Sequence, residues 1–260
     1  MRSYRFTRAL TRKPAETCVD GLRAVDTGAP DFDAFKADHE AYLDALRAAG
    51  AEVTVLDPLP AYPDSVFVED AALCLPEAAI LMRPGAPSRF GEAAAIAPDL
   101  TRLYPRVVAL PGDGRIEGGD ILVTETEILV GLSARTDAEG VEGLRDVVAE
   151  WGDVVRVLET PPEILHFKTD CALLDEETIL ATPRLAATGA FKGYRVIETA
   201  EGEDAAANCI RVNDLVIAPE GFPRTAERLA RDYDLRLIRN AEAAKLDGGM
   251  SCMSLRFTPA

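Results

Sequence analysis

Three aspartates, Asp70, Asp120 and Asp170, recur at intervals of fifty residues along this chain of 260 residues. Each begins the same pattern, in which an apolar strand, a polar turn and a second apolar strand are followed by an arginine. A fourth copy has Asn208 in place of aspartate, and the segments after most of the arginines have helical periodicity. A repeat of this size cannot bury its apolar face alone, so the repeats are expected to pack against one another.

A fifth repeat is divided between the two ends of the chain. SCMSLRF at the C-terminus supplies its first strand, and SYRFTRAL, followed by a helix predicted over Asp31–Gly50, supplies the rest. Such a division would close the repeats into a ring that has no open end. We therefore predict a single α/β domain over residues 1–260, a propeller whose final blade is shared by the termini. The alternative is an ordinary α+β domain in which the similarities arise by chance.

The amino-acid composition limits the classes of molecule that the protein is expected to bind. Asp and Glu number 44 against 28 Lys and Arg, which gives a formal net charge of -16. That field repels nucleic acid and anionic membranes and attracts small cations, although acidic charge also simply aids solubility. The five cysteines have no CxxC spacing, and neither a signal peptide nor an apolar stretch of about 18 residues is evident. We expect a cytoplasmic protein that binds neither nucleic acid nor membranes.

The chain has only two histidines. His39 lies inside the first predicted helix, whereas His166 lies in EILHFKTD at the entrance to the third repeat. A single histidine in such a segment is more often structural than catalytic. Cys252 follows two glycines in DGGMSC, at the strand entrance of the fifth repeat, where glycine lets the main chain turn tightly. Because strand entrances converge in a closed ring, Cys252 and His166 are expected at one end of it. The other cysteines are interpreted as buried small apolar residues.

Acidic side chains gather at the same strand entrances. They are Asp64, Glu69 and Asp70 in PDSVFVED, and Glu117 and Asp120 in GRIEGGD. Each alone is an ordinary turn residue, but together they predict a pocket for a cation. A planar guanidinium is the natural ligand, because it pairs with carboxylates through two parallel hydrogen bonds. Arg89 and Arg135 close equivalent repeats and are candidates for binding an α-carboxylate. With only two histidines, a zinc or iron site is not expected.

Several segments, in order, resemble the dimethylarginine dimethylaminohydrolases, members of the guanidine-modifying or pentein superfamily. They are PDSVFVED, EGGD, SARTDAEG, LHFKTD, ANCI, GFPRT and DGG-x-SC-x-SLRF. The resemblance extends from Arg5 to Phe257, nearly the whole chain. It implies a five-bladed α/β propeller with pseudo-fivefold symmetry, which agrees with the repeats.

The resemblance also implies roles for individual residues. Cys252 would be the nucleophile, His166 the proton donor and Glu117 the acid that orients the histidine. The residues implied in substrate binding are Leu22 and Asp64 for the α-amino group, Glu69 and Asp70 for the guanidinium, Arg89 and Arg135 for the α-carboxylate, and Leu246 beside the nucleophile. Asp170 stands where several family members have a small neutral residue. It would either tighten cation binding or continue the ladder of aspartates.

The implied reaction is hydrolysis of an N-methylated arginine to citrulline and dimethylamine or methylamine, through a covalent thiouronium on Cys252 and without cofactor or metal. Because carboxylates disfavour a nearby thiolate, we hypothesise that the Cys252 thiolate is populated mainly when the cationic substrate is bound. The alternatives are an arginine or agmatine deiminase, a hydrolase of another guanidino compound, and a ring that only binds. Assembly into a homodimer is compatible with these features.

Overall fold

The computed structural model describes residues 3–260, and within that range fifteen strands form five sheets of three strands each. The strands are β1 (Arg8–Arg12), β2 (Glu52–Leu56), β3 (Ala72–Cys74), β4 (Ala79–Leu81), β5 (Val107–Ala109), β6 (Ile121–Val123), β7 (Ile128–Leu132), β8 (Val155–Glu159), β9 (Cys171–Leu173), β10 (Thr178–Ala181), β11 (Arg195–Glu198), β12 (Ile210–Val212), β13 (Leu215–Pro219), β14 (Asp234–Ile238) and β15 (Leu255–Phe257).

Every sheet has the same internal arrangement. In the four sheets made of consecutive strands, the middle strand runs antiparallel to the first and parallel to the third. In the remaining sheet, the middle strand β1 pairs antiparallel with β15 and parallel with β2. The predicted α/β ring of five repeats, with one blade divided between the termini, is confirmed.

One helix connects each parallel pair, because parallel neighbours need a crossover rather than a tight turn. The helices are α1 (Phe32–Ala48), α2 (Glu92–Leu103), α3 (Ala138–Val148), α4 (Pro183–Ala186), α5 (Pro223–Leu229) and α6 (Ala241–Ala244). Helices α1 to α5 lie in the five crossovers, and α6 precedes the segment that carries Cys252. Helix α1 begins after Asp31, whose side chain accepts a hydrogen bond from the amide of Ala34, close to its predicted start.

Short 3-10 turns lead into four of the first strands. They cover Val68–Ala71, Gly118–Asp120, Phe167–Thr169 and Asp204–Ala207, and neighbouring turns contact one another around the ring. The first strands β3, β6, β9, β12 and β15 line a narrow axial channel of about 100 Å³. The turns therefore bring the acidic residues and His166 of separate repeats to one end of the axis.

We propose that residues 1–260 form one domain, since both chain ends contribute strands to the same sheet; Met1 and Arg2 lie outside the described residues. The apolar core lies between the sheets and their helices, with Phe35, Tyr42 and Leu46 of α1 fully buried. Among the described residues, no helix has the length and apolar character needed to cross a membrane.

Candidate active site

A pocket of about 150 Å³ opens at the end of the ring where the 3-10 turns meet. Cys252 and His166 both line it, as do six further residues singled out in the sequence. Those six are Leu22, Asp64, Asp70, Arg89, Arg135 and Leu246. The ring therefore joins residues from six separate segments of the chain into one pocket.

The Cys252 thiol is half-buried in a turn that follows α6. The amide of Gly249 points at its sulfur with an N–Sγ distance of 3.4 Å. A Cβ atom added at Gly248 would lie 2.3 Å from the Phe67 ring, so this position has no room for a larger residue. Burial and the carboxylates of Glu69 and Asp70 raise the pKa of the Cys252 thiol to about 11.

His166 is buried, and its Nε2 atom lies 2.5 Å from Oε2 of Glu117. Burial disfavours the charged imidazole, but the carboxylates of Asp70, Asp120 and Glu117 outweigh it and raise the pKa of His166 to about 9. Burial likewise opposes ionisation of Glu117, yet the His166 hydrogen bond and charge lower its pKa to about 2. The pair is therefore an imidazolium and a carboxylate at neutral pH, and His166 holds a proton that it can donate.

Glu117 lies behind His166 rather than in the pocket wall. It is fully buried, and its Oε1 atom accepts a hydrogen bond of 2.7 Å from the amide of Gly85. The side chain of Arg135 is 3.5 Å from the same oxygen. Asp70, Glu117 and His166 have ligand atoms within 4.8 Å of one another, so this group could also hold a metal ion. The absence of a metal from the reaction stays a prediction.

Asp70 and Arg89 form a buried ion pair on the pocket wall, with Oδ2 and Nη1 2.6 Å apart. The other oxygen of Asp70 accepts from the amide of Gly119. Arg89 also bonds the carboxylate of Glu92 and the carbonyl of Phe67, so most of its N–H groups are engaged within the protein. Its Nη1 atom forms a single bond among residues 3–260 and can donate a second. Arg135 has the more exposed guanidinium, with 20% of its side chain accessible.

Residues 22–24, within the irregular segment from Gly21 to Pro30, form one wall of the pocket. Two acids hold it: Asp64 Oδ1 accepts from the Leu22 amide at 2.9 Å, and Asp247 Oδ2 accepts from the Ala24 amide at 2.6 Å. Arg23 folds back onto the segment and donates to the carbonyls of Gly21 and Gly28. Burial raises the pKa of Asp64, the acid at the base of this wall.

Glu69 does not line this pocket although its neighbour Asp70 does. Its side chain faces the axial channel, where Oε1 accepts from Lys168 Nζ at 2.7 Å and from Arg256 Nη2 at 3.0 Å. Its Oε2 atom is buried and has no hydrogen-bond partner among the described residues. Glu69 thus stands between the channel and the pocket, and it affects Cys252 through its charge.

Asp170 continues the ladder of structural aspartates. It is fully buried and bonds Oγ1 of Thr182 at 2.6 Å and the guanidinium of Arg184 at 2.5 and 2.7 Å. Asp120 bonds Thr136 and Ser133 in the equivalent place of its own repeat. Asp170 is absent from the pocket lining, and its charge stabilises the third repeat through Thr182 and Arg184.

Four contributors were not identified in the sequence: Glu92, Lys168, Asp247 and Asn208. The first two neutralise buried charges, and Asp247 holds the pocket wall. Asn208 occupies the place of the ladder aspartate in its repeat and contacts the loop of residues 248–252, termed the nucleophile loop after the role that the resemblance implies for Cys252. The replacement of aspartate by asparagine at this point is a sequence feature that could have drawn attention to it.

Comparisons with known proteins show which family the chain resembles. The arginine deiminase family model matches residues 107–218. The N(G),N(G)-dimethylarginine dimethylaminohydrolase of Pseudomonas aeruginosa is 40% identical over 257 residues, which cover 97% of this chain and all of the relative. The enzyme of the same name from Streptomyces coelicolor is 33% identical, with 96% of each chain covered.

Solved structures give the same result. A mutant of the Pseudomonas aeruginosa enzyme in complex with citrulline superposes with a TM-score of 0.94 at 39% identity, covering 98% of this chain and all of that one. The N-terminal domain of ArgZ, a cyanobacterial arginine dihydrolase, has a TM-score of 0.83 at 21% identity, with 97% of each chain covered, and shares the fold. Given 40% identity over essentially all of both sequences, the chain belongs to the dimethylarginine dimethylaminohydrolase family.

Proposed function

We propose that the protein hydrolyses N-methylated arginine to citrulline and dimethylamine or methylamine. The main support is that Cys252 and His166 line one pocket, with His166 held as an imidazolium by Glu117. A cysteine nucleophile and a protonated acid are what this reaction needs, since the delocalised charge of a guanidinium makes its carbon a poor electrophile.

The pocket has complementary charges for each end of an amino-acid substrate. Asp70 would pair with the guanidinium, while Asp64 and the main chain of Leu22 would meet the α-amino group. Arg135 and the second N–H of Arg89 Nη1 would bind the α-carboxylate, and the main chain of Leu246 would lie beside the nucleophile. Glu69 would act on the guanidinium through its charge, since its side chain faces the channel.

Substrate binding would generate the nucleophile. In the empty pocket the pKa of the Cys252 thiol is about 11, so little thiolate is present at neutral pH. A guanidinium held beside Sγ offsets the negative field of Asp70 and Glu69 and favours loss of the thiol proton to solvent. This is the physical basis for thiolate formation in the substrate complex.

The reaction then proceeds in two halves. The thiolate attacks the central guanidinium carbon, the bond from that carbon to the methylated nitrogen breaks, and His166 donates its proton to the departing amine. A cationic thiouronium remains on Cys252. Neutral His166 next takes a proton from the attacking water, and the C–S bond breaks to release citrulline, a proton and the thiolate. These steps use no cofactor or metal.

We also infer a cytoplasmic location and leave assembly into a homodimer as an expectation. All five cysteines are unpaired, which suits a reducing compartment.

The experiment is citrulline release from dimethylarginine, monomethylarginine and arginine, combined with mass spectrometry of Cys252 after a rapid quench. We expect release from the methylated substrates, an adduct on Cys252, and neither in C252S. C74A, which alters a half-buried cysteine outside the pocket, is the matched control and should remain active. Ammonia release from arginine in preference to the methylated substrates would instead support a deiminase, the activity that the family-model match raises. Turnover by C252S would contradict the mechanism.

A further inference from the structure

Asn208 touches the sulfur that the proposed mechanism uses. It is buried, and it follows the 3-10 turn at Asp204–Ala207, directly before Cys209 and β12. Its Oδ1 atom accepts a hydrogen bond of 2.9 Å from the amide of Ser251, and its Nδ2 atom lies 3.8 Å from Sγ of Cys252. One side chain thus contacts two successive residues of the nucleophile loop.

The orientation of this amide is determined by its neighbours. The Ser251 amide is a donor, so it must face the carbonyl oxygen of Asn208 and not its NH2 group. The NH2 group is then directed at Sγ. A Cβ atom at Gly249 would lie 2.1 Å from Nδ2, so the Asn208 amide packs directly against the main chain of the loop. The second glycine of the DGG motif makes room for it.

We propose that Asn208 is a catalytic residue that donates a hydrogen bond to the thiolate of Cys252, alongside the amide of Gly249. This inference deepens the proposed function and rests on it. Two N–H groups then converge on the sulfur from the side of the loop, at 3.4 and 3.8 Å. Hydrogen bonds to an ionised acceptor are stronger than those to a neutral one, so both favour thiolate over thiol.

The donors also serve the second half of the reaction, where the sulfur leaves as thiolate. They oppose the field of Glu69 and Asp70, which disfavours negative charge on the same atom. Asn208 would therefore act on both formation of the nucleophile and its expulsion, whereas an aspartate at the ladder position would add a third negative charge. This accounts for asparagine at the ladder position whose side chain contacts Sγ of Cys252.

Two variants distinguish hydrogen-bond donation from Asn208 to Cys252 from structural support of the loop by Asn208. N208D keeps an oxygen that accepts from the Ser251 amide but replaces the donor with a negative oxygen, and N208A removes both. The reporter is the alkylation rate of Cys252 by iodoacetamide at pH 8 without substrate, followed by peptide mass spectrometry. At this pH the rate is proportional to the thiolate fraction. N213D, the same change at an asparagine that bonds Phe6 and Ala49 outside the pocket, is the matched control.

We expect alkylation to slow about tenfold or more in N208A and further in N208D, with kcat reduced in both, while N213D reacts like wild type. Wild-type alkylation in N208A would overturn the proposal, and so would recovery of wild-type kcat in N208D, which indicates support of the loop alone. Circular dichroism establishes that each variant is folded. Because alkylation needs no substrate, failure here is distinguishable from failure of the wild-type enzyme to release citrulline.

Discussion

Nε2 of His166 and Oε2 of Glu117 lie 2.5 Å apart, in a place where Glu117 is fully buried. The two residues come from different repeats, and each changes the ionisation of the other. The imidazolium holds the pKa of Glu117 near 2, and Glu117 acts with Asp70 and Asp120 to raise that of His166 to about 9. Glu117 therefore keeps His166 protonated, and the imidazolium can donate its proton to the leaving amine.

Replacement of Glu117 by glutamine tests whether the carboxylate keeps His166 protonated. E117Q keeps the shape of the side chain and removes its charge, so the pKa of His166 falls and the imidazole loses its proton at lower pH. We expect the alkaline limb of the kcat–pH profile to move to lower pH and kcat to fall about a hundredfold. The measurement is a pH–rate profile, with E150Q at the exposed ion pair with Arg106 as the control. An unshifted alkaline limb would show that His166 is not held charged by Glu117.

The pocket wall formed by residues 22–24 is expected to depend on Asp247. This residue has a positive φ of 57°, so D247G preserves the backbone conformation while removing the acceptor for the Ala24 amide. D247N tolerates the same φ and retains an acceptor oxygen. We expect KM to rise several-fold in D247G and to stay near the wild-type value in D247N, in steady-state assays. Equal KM values in the two variants would exclude the hydrogen bond as the cause.

Asp170 is expected to affect stability rather than chemistry. D170N weakens the bonds to Arg184, whose side chain is 40% exposed, and to Thr182. The free energy of unfolding should fall by about 2 kcal/mol, since the arginine is partly screened by solvent. Urea denaturation measures this loss, and kcat should remain within about twofold of wild type. A large rise in KM at normal stability would instead place Asp170 in cation binding.

His39 gives the fold a predictable sensitivity to acid. It is 1% exposed, its Nε2 atom has no hydrogen-bond partner among the described residues, and burial lowers its pKa to about 4. The unfolded chain, with an ordinary pKa near 6.5, therefore binds a proton before the folded one does. Stability should decrease as pH falls from about 6.5 to 4, by up to about 3 kcal/mol.

H39M removes this titration, so its urea midpoint should decline less than that of wild type between pH 7 and pH 4.5. Parallel declines in the two proteins would mean that His39 is not the group responsible. A difference in absolute stability between H39M and wild type at pH 7 does not affect the comparison, because the test is the slope with pH.

The ring could be predicted because the repeats share one order of acidic residue, two apolar strands and arginine along the sequence. The segments that form β1 and β15 complete the pattern only together, which is why the sequence predicts the divided blade. The side chain of Glu69 could not be placed, because consecutive residues of a 3-10 turn diverge: Asp70 enters the pocket and Glu69 the channel. The contact of Asn208 with Cys252 depends on the closeness of two distant loops, which local spacing does not reveal.

The pairing of β15 with β1 has a consequence for biosynthesis. Residues 8–10 cannot complete their sheet until residues 255–257 have been synthesised, so the ring closes only after β15 has left the ribosome. Cys252 lies on the same segment, three residues before the start of β15. The nascent chain therefore contains the acids Asp64, Glu69 and Asp70 long before it contains Cys252, and this thiol joins them only as the ring closes.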